Sequence, residues 1–286
     1  MINANTVKWI QVEATTKCNA WCPGCGRNND GYGLADDLII EDLSNDRFKA
    51  ILDQLPNLTT IDFCGTHGDA IAAANIIELT AIAKQSADKI VVRTNGSLRT
   101  TEWWANYAKQ LHSHDHEVWF CLDGLADTHS IYRQGTDFDR IIANARAFIQ
   151  AGGVAVWQFI PWQHNEHQIK DCIRLSQQLG FKRFELIRNV RQNFTARQYQ
   201  TGKVIEILPW SEDQRMNTLL DRRDQVLKKN CMHLEQPSVY INADGTINTC
   251  CYFNKENSVV EFKDLMDIEN NLTRPKCLHF CGSPND

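Results

Sequence analysis

Three cysteines fall within eight positions near the start of the chain, as Cys18-x3-Cys22-x2-Cys25. Thiolates this close can wrap one compact metal centre. An iron–sulfur cube normally takes four cysteine ligands, so three leave one iron with an open coordination position where a substrate or cofactor can bind. A structural zinc ion wants four protein ligands, usually from C-x2-C pairs, and stands as the plainer alternative beside incidental packing of thiols. A second group, Cys231, Cys250, Cys251, Cys277 and Cys281, closes the chain. Four thiolates there would suit either a zinc ion or a closed cube, and spacing does not choose between them. Cys64, Cys121 and Cys172 lie in or beside apolar runs and read as small packed hydrophobes.

The elements that would position the first triplet follow from periodicity. Apolar, β-rich runs at 7–12, 59–63, 90–93, 118–122, 154–160 and 184–187 alternate with helical patterns. In the first helix Ser44 is the expected N-cap, Phe48, Ile51, Leu52 and Leu55 share one face, and Pro56 stops the run. Helical patterns at 71–83, 101–111, 138–151 and 168–179 follow, the last ended by Gly180. Six such repeats predict an α/β fold, a partial (β/α)6 TIM-like barrel with an open parallel sheet and its functional groups at the C-terminal strand ends. Past residue 188 the pattern weakens, with a short helix expected at 213–227. Two alternating runs around Asp244-Gly245 then predict a β-hairpin at 238–250. The chain is thus divided into a core at 1–200, a bridging segment at 201–230 and a small cysteine-bearing module at 231–286.

Composition bounds the partners. Of 286 residues, 43% are apolar and 23% charged, which excludes a disordered or fibrous chain. A net charge of −5 without like-charge blocks argues against a nucleic-acid or membrane-surface footprint. No signal-peptide pattern opens the chain and no apolar run reaches the ~20 residues that cross a bilayer, so the cytoplasm is the expected compartment. Disulfides are uncommon there, which favours thiolate ligands as the use of eleven cysteines. The expected substrate is small or peptidic.

Cys18, Cys22 and Cys25, placed after a first barrel strand, resemble the signature of the radical S-adenosylmethionine enzymes. The resemblance implies a 4Fe-4S cluster on these three cysteines, whose open iron binds S-adenosylmethionine and cleaves it reductively to methionine and a 5′-deoxyadenosyl radical that takes hydrogen from a substrate. An aromatic often precedes the third cysteine in that family; here the position is Gly24. Gly65, Gly68 and Asp69 after the second strand are similar to the family's glycine-glycine-acid motif, which implies that Gly68 and Asp69 meet the methionine ammonium. Asn95 after the third strand, and the string Asp123, Gly124, His129, Tyr132, Arg133, Gly135, Thr136 after the fourth, are similar to segments of peptide-modifying members. Asn95, Asp123 and Arg133 would complete the S-adenosylmethionine pocket, with a surface salt bridge as the plain alternative for Arg133. The likeness covers roughly 7–188.

Other residues carry less weight. His112, His114 and His116 could bind metal but lie at a strand's N-terminal end and read as a solvated loop; beside His164 and His167, Asn165 and Glu166 read first as a helix start, with substrate contact by the histidines as the lesser reading, and Trp157 and Trp162 read as packing. Cys231 followed by the hairpin resembles the opening of the SPASM module. With only Cys277 and Cys281 after it, the chain resembles the shortened twitch form, which implies one auxiliary 4Fe-4S cluster on Cys231, Cys250, Cys277 and Cys281, and Cys251 as bystander or competitor. The implied activity is modification of a peptide or protein side chain by an oxidoreductase or maturase fed by a reductant such as flavodoxin or ferredoxin. Against it, the triplet starts too early to leave room for an N-terminal leader-binding domain. Dehydrogenation of a small alcohol or sugar-like metabolite is the alternative, and a zinc-stabilised binding protein the alternative of another class.

Overall fold

The computed structural model describes residues 4–187, 194–211, 238–248 and 259. Six strands, β1 (Trp9–Val12), β2 (Thr60–Phe63), β3 (Lys89–Thr94), β4 (Glu117–Cys121), β5 (Ala155–Phe159) and β6 (Arg183–Leu186), pair in parallel in chain order. Between them run α1 (Asn45–Leu52), α2 (Ile76–Ala83), α3 (Thr101–Gln110), the single turn α4 (His129–Tyr132), α5 (Phe138–Gln150) and α6 (Ile169–Leu179). A separate antiparallel hairpin, β7 (Phe194–Arg197) and β8 (Val204–Ile207), follows in the stretch where the sequence pattern weakened. The hairpin expected around Asp244-Gly245 is present as β9 (Ser238–Ile241) and β10 (Ile247–Asn248). It does not stand apart: β9 adds to the sheet in parallel beside β1, giving the order β10-β9-β1-β2-β3-β4-β5-β6. Among the described residues the outer strands β10 and β6 do not pair with each other, and the sheet is open.

The register sorts the side chains. Ile10, Ile61 and Ile90 lie abreast, as do Phe63, Val92 and Val118, and this face packs under the helices. The opposite face carries Gln11, Asp62, Arg93, Trp119 and Gln158, a largely polar inner wall. Trp104 of α3 is fully buried against Phe120, with ring centroids 5.0 Å apart, and edge-on to Phe148 at 5.9 Å. Burying a side chain of this size contributes about 1.5–3 kcal/mol, so α3 and α5 are clamped to the sheet by their apolar stripes.

Helix ends follow the sequence closely. Ser44 Oγ accepts from Arg47 N at 3.2 Å, and Gly180 ends α6 in the left-handed region at φ 85°. One helix departs from expectation. The pattern at 71–83 breaks into a 3-10 turn, Ala70–Ala72, and α2, because the Asp69 carboxylate caps Ile71 N and the Arg99 guanidinium takes the carbonyls of Ile71 and Ala73 out of the helical ladder. The histidine string also differs. His112 and His114 are exposed, but His116 is buried and its Nδ1 accepts from Ile90 N at 3.3 Å. The position immediately precedes β4, and the ring turns in against β3 at the sheet end. The expected helix at 213–227 and all five C-terminal cysteines lie outside the described residues.

Candidate functional site

The loops that leave β1, β2, β3 and β4 converge at the C-terminal edge of the sheet. Cys18, Cys22 and Cys25 are all free thiols on the first of these loops. Its fold is set by local bonds: Cys25 N donates to Cys22 O at 3.0 Å, Asn28 N to Cys25 O at 2.9 Å, and Asn28 Nδ2 back to Cys22 O at 3.1 Å. Cys22 is buried among Ala20, Tyr132, Trp162 and Ile207, with Cys18, Cys25 and Phe194 packed against the same cluster. Burial, Asp69 and the neighbouring thiols push the Cys18 thiol up, and burial pushes Cys22 up to about 12 although Arg133 works the other way. Deprotonating these thiols therefore calls for a compensating positive centre.

Asp69 sits beside them. It follows Gly68, whose place next to the first loop only glycine can take, since a Cβ there would overlap the Thr15 carbonyl. The Asp69 carboxylate is buried and accepts from Asn95 N at 2.6 Å, Thr94 Oγ1 at 2.8 Å and Ile71 N at 3.0 Å. Burial pushes its pKa above the usual carboxylate range, against those three donors. A cation placed beside it would favour its charged form. Asn95 joins the two groups: its Nδ2 lies 3.8 Å from Cys18 Sγ and 2.9 Å from Asn19 Oδ1.

Asp123 and Arg133 form the third wall. Arg133 Nε donates to Asp123 Oδ2 at 2.6 Å, with Asp123 fully buried and Arg133 nearly so. Burial opposes the Arg133 charge, but Asp123 and Cys22 beside it hold its pKa well above the ordinary value. Arg133 thus turns inward to Asp123 rather than to a carboxylate on the surface of the following helix. His129 Nδ1 accepts from Asp123 N at 3.2 Å, and burial together with Arg133 pushes this histidine down to about 3, so it serves as a neutral brace. Thr136 Oγ1 donates to Arg133 O at 2.6 Å, and Gly135 turns at φ 76°. The whole string from Asp123 to Thr136 is thus one hydrogen-bonded unit.

Sequence reasoning missed several residues that hold this arrangement. Asn165, read as part of a helix start, is fully buried and donates to Asp123 O at 3.2 Å and Ile160 O at 3.1 Å. Glu13 Oε1 accepts from His67 N at 2.6 Å and Gly68 N at 3.0 Å, bracing the glycine turn. Its position two residues beyond Gln11 on the inner face was the available signal. The β7–β8 hairpin covers the cysteine loop: Tyr199 stacks on Trp21 at 4.1 Å, and Phe194 Cζ would lie 2.8 Å from a Cβ at Gly24. His167 is exposed. His164 is partly buried, and its Nε2 has no partner among the described residues. Trp157 packs as expected, its Nε1 donating to Leu122 O at 2.9 Å.

Solved structures share this fold. Streptococcus suis SuiB bound to S-adenosylmethionine is similar at a TM-score of 0.63 and 15% identity, over 97% of this chain and 71% of that one. SuiB bound to the precursor peptide SuiA is similar at 0.58 and 14%, over 86% and 60%, and native anSMEcpe with bound AdoMet at 0.64 and 13%, over 96% and 83%. The chain has the radical S-adenosylmethionine enzyme fold. No protein-family description matches the sequence, and no curated protein matches it either.

Within that fold the donor set suits an iron–sulfur cube. Among the described residues no three His, Cys, Asp or Glu side chains converge on a point that could hold a single metal ion. A cube spreads its thiolates over separate irons and does not need such convergence. Trp162 Nε1, in the same cluster as Cys22, is buried without a hydrogen-bond partner among the described residues, a donor left for a group at this site. Cys64, Cys121 and Cys172 stay off the first loop; burial pushes Cys121 up to about 11 and Cys172 up to about 12, as expected of packed thiols, while Cys64 is only partly covered. The auxiliary site expected on Cys231, Cys250, Cys277 and Cys281 lies outside the described residues. Among the described residues, no helix is long and apolar enough to cross a membrane.

Proposed function

We propose that this protein is a radical S-adenosylmethionine enzyme that modifies a peptide or protein side chain. The observation that carries this reading is the set of three free thiols, Cys18, Cys22 and Cys25, at the C-terminal edge of the parallel sheet, with Cys18 beside Asp69 and Asn95 and Cys22 beside Arg133. When bound there, a 4Fe-4S cluster supplies one electron for cleavage of S-adenosylmethionine to methionine and a 5′-deoxyadenosyl radical.

The chain's own residues do the rest. The three cysteines hold the cluster and leave one iron open. The backbone at Gly68 allows close approach, and the Asp69 carboxylate, immobilised by Asn95 N and Thr94, receives the methionine ammonium. Asn95 links that carboxylate to Cys18, its backbone N donating to Asp69 and its side-chain Nδ2 lying beside the thiol. Asp123 and Arg133 complete the pocket; in this role Arg133 is shared between Asp123 and the methionine carboxylate, and His129 and Asn165 keep Asp123 in place. Trp162, Tyr132 and, from the β7–β8 hairpin, Phe194 keep water from Cys22, the buried thiol of the three. The protein's contribution is orientation and exclusion of solvent rather than acid–base chemistry.

Support for a peptide substrate comes from the likeness to SuiB, whose structure holds the precursor peptide SuiA. In this reading the domains are a core at 1–200, a bridge at 201–230 and a twitch-like module at 231–286 carrying a second 4Fe-4S cluster on Cys231, Cys250, Cys277 and Cys281, in a cytoplasmic protein reduced by flavodoxin or ferredoxin. Iron and sulfide analysis of oxygen-free protein tests the cluster content: about eight irons per chain for two cubes, about four for one. An iron-free protein that forms no 5′-deoxyadenosine with S-adenosylmethionine and dithionite overturns the proposal. Mass changes on candidate peptides, against none on polyols, decide the substrate class.

A further inference from the structure

The C-terminal hairpin reaches into the site through one hydroxyl. Tyr240, in the middle of β9, is buried, and its hydroxyl is used in both directions: it accepts from Thr66 N at 3.1 Å and donates to Glu13 Oε2 at 3.0 Å. Glu13 is itself only 2% exposed and spends its other oxygen on His67 N and Gly68 N. Three consecutive amides of the 65–69 turn are thereby fixed by a relay of one phenol and one carboxylate. The relay is anchored from behind, since Glu13 N donates to Ile241 O at 2.8 Å in the β1–β9 pairing. Burial opposes ionisation of Glu13, yet the His67 imidazole, with Nδ1 3.5 Å from Oε2, and then the backbone donors of His67 and Gly68 hold its pKa below the ordinary value, so a carboxylate accepts these bonds. Burial, reinforced by Glu13, raises the Tyr240 pKa well above the ordinary value, so the phenol keeps the proton it donates.

We infer that Tyr240 is a positioning residue for S-adenosylmethionine, through which the C-terminal hairpin sets the shape of the turn that carries Gly68 and Asp69. The inference rests on the proposed role of that turn in receiving the methionine ammonium. The turn's geometry then depends on a strand more than 170 residues away in sequence, and binding at the turn and docking of the hairpin are reciprocally linked. A phenylalanine fits the same space but can neither accept from Thr66 N nor donate to Glu13.

Tyr240→Phe tests this in the iron-loaded full chain. Hydrogen bonds to a charged group of this kind correspond to roughly a tenfold change in affinity. The expected result is about a tenfold weaker S-adenosylmethionine Kd by equilibrium dialysis and a KM for S-adenosylmethionine raised with little change in kcat for 5′-deoxyadenosine release. Faster amide exchange should be confined to residues 66–68. Arg47→Ala is the control for a merely loosened hairpin, because it removes the tie from Arg47 Nε to Gly245 O at 2.9 Å and leaves the relay in place. Unchanged affinity and exchange in Tyr240→Phe overturn the inference, as do equal effects of the two variants on the 66–68 amides. Wild-type protein that binds no S-adenosylmethionine sinks the proposed function instead, and the exchange data then still decide whether Tyr240 holds the turn.

Discussion

The two ends of the parallel sheet use the same ingredients, buried carboxylates and arginines, to opposite effect. At the N-terminal end Glu117 is covered by three cations: Arg183 grips it in bidentate fashion at 2.7 and 2.8 Å, Lys182 Nζ lies at 3.1 Å and Lys89 Nζ at 3.6 Å. These cations reach solvent, with 32–48% of each side chain exposed. At the C-terminal end the fully buried Asp123 has, among the described residues, a single cationic partner, Arg133, whose side chain is 14% exposed and which also faces Cys22. Redundant, wet pairing makes a clamp that tolerates change. A single, largely buried pair next to thiols is costly to break, and it is the kind of arrangement that persists where a ligand shares it.

The largest expected difference between the ends is in chemistry. Replacing Cys18, Cys22 and Cys25 together by alanine should abolish 5′-deoxyadenosine formation and remove about four irons per chain, whereas Glu117→Gln should leave both unchanged; loss of product in Glu117→Gln would break the contrast. Stability comes next. Asp123→Ala strands the Arg133 guanidinium and should cost about 3–5 kcal/mol in urea unfolding, while Glu117→Gln, whose partners can turn to water, should cost about 1–2 kcal/mol. Equal losses would show that the two pairs are equivalent.

The pH response sharpens the same contrast. Burial works against the Glu117 charge, but the Arg183, Trp119 and Lys182 donors hold its pKa down at about 2. A carboxyl whose folded pKa lies below its unfolded value stabilises the fold above the unfolded value, near 4.3. That stabilisation should fade as pH falls from about 4 to about 2. Glu117→Gln should flatten this part of the profile, and added salt should weaken it because the partners are solvated. The smallest effect belongs to a backbone position. Gly180→Ala forces a side chain into φ 85° and should cost about 1 kcal/mol without altering S-adenosylmethionine binding.

Local chemistry made much of this protein legible in its sequence. The apolar, β-rich runs and helical patterns place β1 to β6 and all the helices but the single turn α4 to within a few residues, and Ser44, Gly180 and Asp244-Gly245 mark ends and turns, because caps, left-handed turns and amphipathic faces are properties of neighbours in the chain. The cysteine triplet and the string from Asp123 to Thr136 are legible for the same reason. The partners that hold them are not. Which side chain braces the Gly68 turn, that Arg133 turns inward to Asp123, that Asn165 anchors Asp123 from the loop after β5, that the β7–β8 hairpin covers the cysteine loop and that β9 lies beside β1 are all decided by contacts between distant segments. Burial makes those choices: once the sheet has removed Glu13, Asp69 and Asp123 from water, each must find donors wherever the fold brings them, and only the tertiary structure determines who stands near enough to provide them.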